Sequence, residues 1–439
     1  MTDDTDDAGK GTRTGGRGEA NADGEPLLVV EDLETHYPVT RGLLRREVGR
    51  VRAVDGVSFA VDRGEALGLV GESGCGKTTT ALSVLHIEEP TGGAVRFDGR
   101  RVADLSGADR TAFRRRAQLI VQDPNEAFNP RMTVGEAVGE PLAVHGMEDP
   151  ERRREIVVDI LERVGLSASA ADRYPHEFSG GEKQRIAIAR ALVLDPDLIV
   201  ADEPTSALDG RVQSDVLGLL AEVRRRFSVA VLLISHDVDV VRRFCDRVAV
   251  MYLGEIVEKG PIERVLGEPG HPYTRLLLDS VPSLDPGGSE FPRPLSEAVP
   301  DPADPPDGCR FHTRCPELIP PDDVDLPREQ WRSIAGFRFA VEVGELPDGV
   351  DAGATDARTE TLREAFGLPG TVPDEDVERA VADALEAVRD GDHERASDVL
   401  EAAIPTVCER ETPDDTEVDG REVGCHRYDP AVDAGPLVR

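Results

Sequence analysis

An α/β fold with a sheet feeding a phosphate-binding turn is predicted by three observations. Gly71-Glu72-Ser73-Gly74-Cys75-Gly76-Lys77-Thr78 lies between the apolar run Leu67-Gly68-Leu69-Val70 and the helix-like Thr79-Thr80-Ala81-Leu82-Ser83-Val84-Leu85. A second apolar run, Asp197-Leu198-Ile199-Val200-Ala201, ends in the carboxylates Asp202 and Glu203. A third, Val229 to Ile234, is capped by Ser235-His236-Asp237. Short uninterrupted apolar runs bounded by turn residues and separated by helical patterns are the signature of a buried sheet covered by helices.

The glycine-rich turn reads as a nucleotide phosphate cradle. Glycines at 71, 74 and 76 let the backbone curl so that successive N–H groups point inward, and a helix N-terminus adds partial positive charge. Lys77 supplies a full charge for the β and γ phosphates, and Thr78 a hydroxyl for Mg²⁺. With 43 glycines and lysine only at positions 10, 77, 183 and 259, the spacing G-x4-G-K-[ST] should arise by chance on the order of 0.005 times. Cys75 fills a free position of the pattern and reads as a tolerated small residue.

The 439 residues predict two or three domains, and a 39% hydrophobic content suffices for a core in each. Eighty-six acidic against 51 basic side chains leave a net charge of −35, which argues against DNA or RNA as partner. Self-repulsion of that size suits a salt-accumulating halophile's cytosol, where the Debye length falls to about 3 Å at molar salt. No apolar stretch reaches the roughly 18 to 20 residues of a membrane span, and no signal-peptide core opens the chain, so a soluble polypeptide is expected. Six cysteines in a chain this long do not make a disulfide framework.

Residues 1–24, poor in large apolar side chains, predict a disordered tail. Leu27 to Leu33 reads as the first strand. Tyr37 follows, placed either to stack on adenine or to pack in the core; then come a basic loop from Arg41 to Arg52 and a strand over Ala53–Val61. Ala94–Gly99 predicts a strand and turn, and Arg114–Val121 a strand closing on Gln122. Helical spacing of Ile156, Val157, Ile160, Leu161 and Val164 predicts a helix-rich insertion. Ser179-Gly180-Gly181 opens a further helix running to Leu192, a second anion-friendly N-terminus. Of the two carboxylates after it, one can hold the Mg²⁺ shell while its neighbour orients and deprotonates water.

Taken together in this order, the motifs over roughly residues 27–283 resemble the ATP-binding subunit of an ABC transporter, a P-loop NTPase cassette with a mixed sheet core, an antiparallel β subdomain and a helical subdomain. The resemblance implies that Gly71 to Thr78, with Thr79, form Walker A, Gln122 the Q-loop, and Ser179 to Gln184 the signature. It likewise implies that Asp202 is the Walker B aspartate, Glu203 the catalytic base, Asp209 the D-loop residue and His236 the switch histidine. Gln122 then joins Thr78 and Asp202 as a candidate Mg²⁺ neighbour, and Tyr37 matches the adenine-stacking aromatic. The signature reads Phe-Ser-Gly-Gly-Glu where Leu-Ser-Gly-Gly-Gln is commoner, but Ser179 and Gly181 are retained. Two cassettes packed head to tail, each ATP held between one Walker A and the partner's signature, are implied by the family.

A narrower resemblance rests on the basic stretch Gly42 to Phe59, on Gln122-Asp123-Pro124 with Asn129 to Val134, and on Gly270-His271-Pro272-Tyr273-Thr274-Arg275. These are similar to oligopeptide/dipeptide importer ATPases, and within them to the F-type subunit that pairs with a D-type subunit. The implied partners are that second ATPase, two transmembrane permease subunits and an extracellular solute-binding protein, with the chain on the cytoplasmic face of the membrane. Nickel or another solute as cargo, and a soluble non-transport ABC ATPase, remain as alternatives.

The expected domains are the tail, a cassette over 25–282 with its helical subdomain at about 124–190, and a C-terminal domain over 283–439. Gly308-Cys309-Arg310-Phe311-His312-Thr313-Arg314-Cys315-Pro316 resembles the importers' C-terminal motif, in which four cysteines hold an iron–sulfur cluster; Cys408 and Cys425 complete the set here. Four thiolates suit a [4Fe-4S] cluster or Zn²⁺, and spacing does not choose. A long insertion, about 317–405, separates the second and third cysteines and predicts a helical hairpin, one arm capped by Asp374 and ended at Gly391, the other carrying Ala396, Val399, Leu400 and Ala403. Cys245 reads as buried helix packing.

Overall fold

The computed structural model describes residues 24–42, 46–206, 208–280, 294–296, 298–344 and 359–432, so the expected tail lies outside the described residues apart from Gly24. Five parallel strands run from one edge of an eight-stranded sheet, in the order Ala117–Ile120, Leu198–Asp202, Ala230–Ser235, Ala66–Val70, Arg247–Tyr252. Every residue of the three middle strands is buried, as expected of strands covered on both faces, which explains their unbroken apolar sequence. The first turns after these three strands lie side by side at one edge of the sheet: the glycine-rich turn, Glu203, and His236. Ligands of open parallel sheets bind at that edge.

A separate four-stranded antiparallel sheet is built from Arg46–Val61, Leu28–Arg41, Gly92–Phe97 and Arg100–Arg101. Its inner face packs Leu28, Leu33, Val54, Val57 and Val61 against Ala81 and Val84 of the helix that follows the turn. The stretch Arg41 to Arg52, expected as a loop, is instead mostly strand: the two long arms pair out to Arg41 opposite Arg46. Backbone pairing carries these arms where the side chains of 46–50 are solvated, and an exposed polar run gives no apolar alternation to announce it. Arg114 to Arg116 likewise belong to the helix Gly107–Arg116, where three cations complement the C-terminal end of the helix dipole; the strand begins only at Ala117.

The helix-rich insertion contains Val134–Val144, started by a Thr133–Glu136 capping box, and Pro150–Arg163, capped by Asp149. Both pack beside Gly180–Leu192 in the larger core.

The C-terminal extension has its own core of Trp331, Ile334, Phe337, Val381, Leu385 and Leu400. Asp374 caps Glu375–Arg389, Gly391 sits at φ +79°, and His393–Ala403 returns, which is the hairpin the sequence predicts. The extension is also stitched into the cassette. Its hairpin Asp415–Val418/Arg421–Gly424 adds two antiparallel strands to the main sheet, with Glu258 opposite Val423 and Lys259 opposite Glu422. Among the described residues no helix is long and apolar enough to cross a membrane.

Candidate nucleotide site

The turn after Val70 can close only with glycine at two points. A Cβ on Gly76, whose φ is +109°, would lie 2.0 Å from the Ala53 carbonyl oxygen, and one on Gly71 would lie 2.1 Å from that of Met251. The antiparallel sheet and the strand Arg247–Tyr252 therefore press directly on the turn. Lys77 heads the helix Lys77–Val84, and its buried ammonium donates to the carbonyls of Gly71 (2.9 Å) and Glu72 (2.8 Å), pointing into the ring of the turn. Ser73, Gly74 and Thr78 face solvent, Thr79 is half-buried, and Cys75 is buried with its thiol 3.7 Å from Lys77 Nζ.

Asp202 closes its strand buried; burial pushes its carboxyl above the usual carboxylate range, while a hydrogen bond with Thr78 pulls it down. Its Oδ1 has no hydrogen-bond partner. A buried carboxylate oxygen left open beside a threonine hydroxyl is the hard-oxygen donor pair that Mg²⁺ takes, so the residues present fit that ion.

Glu203 adopts φ +44° at the turn beyond the strand, its N–H donating to the Ile234 carbonyl at 2.9 Å. From there its carboxylate accepts from Gln122 Nε2 at 2.8 Å and meets His236 Nδ1 at 2.9 Å. Two polar side chains from two other strand ends thus converge on the Glu203 carboxylate.

Ser179 caps Gly180–Leu192 in a reciprocal box: Glu182 N–H donates to Ser179 Oγ, and Ser179 N–H donates to the Glu182 carboxylate at 2.9 Å. The unusual Glu of the signature is therefore a helix-starting residue, and hydrogen bonds from the Ser179 backbone and hydroxyl hold its carboxyl below the usual range. Gly181 lies against Val212, and Asp209 caps that same helix, Gly210–Phe227, so the signature and Asp209 form one surface. Among the described residues no hydrogen bond joins this surface to the glycine-rich turn. Tyr37 sits half-buried opposite Val51 on the antiparallel sheet.

Motif reading missed the contacts from the extension. Arg314, buried, grips the Glu72 carboxylate with both terminal nitrogens, at 2.9 and 3.1 Å. From within the cassette, the Tyr273 hydroxyl of the helix Pro272–Asp279 also accepts the Glu72 N–H, at 2.9 Å. Arg310 pairs with Asp55 and the Leu253 carbonyl and lies 2.9 Å from Glu255. The one available signal was the pair of arginines held between two cysteines.

None of the four C-terminal thiols is joined in a disulfide, and burial pushes each of them up. Cys408 and Cys425 raise Cys309 further, and the Cys309 N–H donates to the Cys408 carbonyl at 2.8 Å, so the chain brings back together what the insertion separates. The donor chemistry fits a thiolate-bound centre, yet among the described residues no group of three His, Cys, Asp or Glu side chains is placed to hold a metal ion.

Fold and site define an ATP-binding cassette: residues 54–206 match the ABC transporter family. Residues 257–320 match the oligopeptide/dipeptide transporter C-terminal region, and residues 328–421 a domain of unknown function. The chain is 46% identical over 309 residues to the oligopeptide transport ATP-binding protein AppF of Bacillus subtilis, covering 70% of this chain and 94% of that one. It is 44% identical over 292 residues to the di/tripeptide transport ATP-binding protein DppF of Pseudomonas aeruginosa, covering 66% and 90%. A solved cassette dimer in a post-hydrolysis state with ADP and Pi is 28% identical at a TM-score of 0.48, covering 54% of this chain and 98% of that one. The chain belongs to the ATP-hydrolysing subunits of oligopeptide/dipeptide ABC transporters.

Proposed function

We propose that this chain powers import of di- or oligopeptides from the cytoplasmic face of the membrane, as the F-type partner of a D-type ATPase on two permease subunits fed by a solute-binding protein. The observation that carries the hydrolytic part is the Glu203 carboxylate held between Gln122 and His236. So oriented, Glu203 accepts a proton from water as the water oxygen attacks the γ-phosphorus and the bond to the β-phosphate oxygen breaks, leaving ADP and phosphate. Lys77 and the inward N–H groups of the turn bind the phosphates; Tyr37 stacks on adenine. Thr78 and Asp202 would hold Mg²⁺, with Gln122 beside it, and the ion would supply neutralisation of phosphate charge.

The exposed faces of Ser179 and Gly181, next to Asp209, meet the γ-phosphate bound by the partner cassette. Closure of two cassettes on that phosphate, and release when it is cut, drives the permeases. The acidic surface suits a halophile's cytosol.

Glu203→Gln in the purified, paired subunits is expected to lower ATP turnover by about 10²-fold or more while ATP binding persists. Unchanged turnover would remove Glu203 from the mechanism.

We infer further that Cys309, Cys315, Cys408 and Cys425 hold a [4Fe-4S] cluster or Zn²⁺; four neighbouring thiols, Cys315 and Cys408 buried and Cys309 and Cys425 half-buried, support it. Anaerobically purified protein should give either a visible iron–sulfur absorption with bound iron, or stoichiometric zinc; neither metal being present refutes the centre.

A further inference from the structure

Glu72 occupies the first free position of the glycine-rich turn, and its backbone works inside the phosphate site while its side chain works outside. Its carbonyl accepts from Lys77 Nζ and its N–H is bound by the Tyr273 hydroxyl. Its carboxylate points away from the turn to Arg314, which comes from the extension, 242 residues further along the chain. A carboxylate on this turn is a liability for a protein that binds a polyphosphate, because in a partly desolvated site like charges repel strongly.

Arg314 removes that liability. It meets both carboxylate oxygens in the two-pronged geometry natural to guanidinium, with 7% of its side chain exposed. The arginine is fixed in turn. Its N–H donates to the Phe311 carbonyl at 3.0 Å and the next residue's, Cys315, to that of His312 at 3.1 Å. Phe311 stacks edge-on with Tyr252 (5.3 Å) and Tyr273 (5.4 Å), all three being fully buried. The Tyr252 hydroxyl is 3.4 Å from the Arg314 guanidinium.

We propose that Arg314 is a positioning residue for nucleotide: by neutralising and fixing Glu72 it makes ATP affinity of the cassette depend on the C-terminal extension. This rests on the reading of the chain as an ATP-binding cassette. The predicted signature is one of sign. Removing the cation exposes a negative charge to the phosphates, whereas removing the carboxylate leaves an extra positive one.

The test is equilibrium binding of MgATP and MgADP to the full-length protein at fixed ionic strength, together with KM and kcat for the paired subunits. Arg314→Ala should weaken ATP binding about tenfold and ADP less, with the loss falling on KM more than on kcat. Arg314→Lys should recover most of it. Glu72→Gln alone should bind ATP more tightly than the parent, and added to Arg314→Ala it should restore affinity to within about threefold.

Should Arg314→Ala not fold, as judged by circular dichroism, the sign of the Glu72→Gln effect decides alone, because glutamine still offers Arg314 an acceptor. Arg314→Ala binding ATP as the parent does, or both single variants weakening it, overturns the proposal. A parent that binds no ATP overturns the cassette reading itself.

Discussion

Two eight-residue stretches meet at the nucleotide site, Gly71–Thr78 and Gly308–Cys315, and they are built on opposite principles. The first is built from local signals: strand, turn and helix follow each other without interruption, and the remote carbonyls of Ala53 and Met251, 2.0 and 2.1 Å from where a Cβ on Gly76 or Gly71 would stand, are met simply by the glycines of the motif. The second has little regular structure, a single short helical turn at His312–Arg314. It is held by what lies far off in the chain: Cys408 through its carbonyl, Glu72 and Asp55 through ion pairs, and Tyr252 and Tyr273 through ring contacts. A local motif can be read from sequence; a segment defined by remote partners needs those partners placed first.

That difference can be sharpened by loosening the remote partner. Leu385 is buried in the extension's own core, whose members include Trp331, the sole tryptophan of the chain. Trp331 also donates its ring N–H to the Leu318 carbonyl at 2.8 Å, so tryptophan fluorescence reports on the extension and on nothing else in the protein. Leu385→Ala is expected to cost about 2–5 kcal/mol and to lower the denaturant midpoint of the Trp331 signal, with the nucleotide turn unaltered. A fluorescence midpoint that does not move would mean that the extension draws its stability from the cassette and not from its own core.

The same distinction sets what the sequence discloses. The parallel strands, the glycine-rich turn, the carboxylate pair and the helical hairpin after Asp374 all follow from uninterrupted apolar runs, caps and spacing, and all stand where those signals lie. The hairpin Asp415–Val418/Arg421–Gly424 was invisible because each arm is four residues of mostly polar side chains, placed by ladder pairing with Glu255–Pro261. The solvated arms of the basic hairpin escaped for the same reason. The grip of Arg314 on Glu72 was invisible because no local rule relates two residues that far apart. Even the signature's glutamate, a departure by family pattern, becomes intelligible only once it is seen to close a capping box with Ser179.

The smallest expected effect tests the joint between the two stretches. His271 is fully buried, caps the helix Pro272–Asp279 by accepting on Nδ1, at 3.0 Å, the N–H of Tyr273, and Tyr273 is the tyrosine that binds Glu72. Burial pushes its imidazole down to about 3, from an ordinary value near 6.5. In the folded chain it stays neutral while the unfolded chain takes up a proton, so its contribution is complete above pH 6.5 and is lost as the pH falls toward 3. Between pH 6.5 and pH 5 the loss is about 1.6 kcal/mol. Asparagine caps a helix without titrating, so His271→Asn should be less sensitive to acid than the parent by about that amount, read as the difference in urea midpoints at the two pH values. Equal acid sensitivity of parent and variant would place the proton uptake elsewhere and leave the joint indifferent to pH.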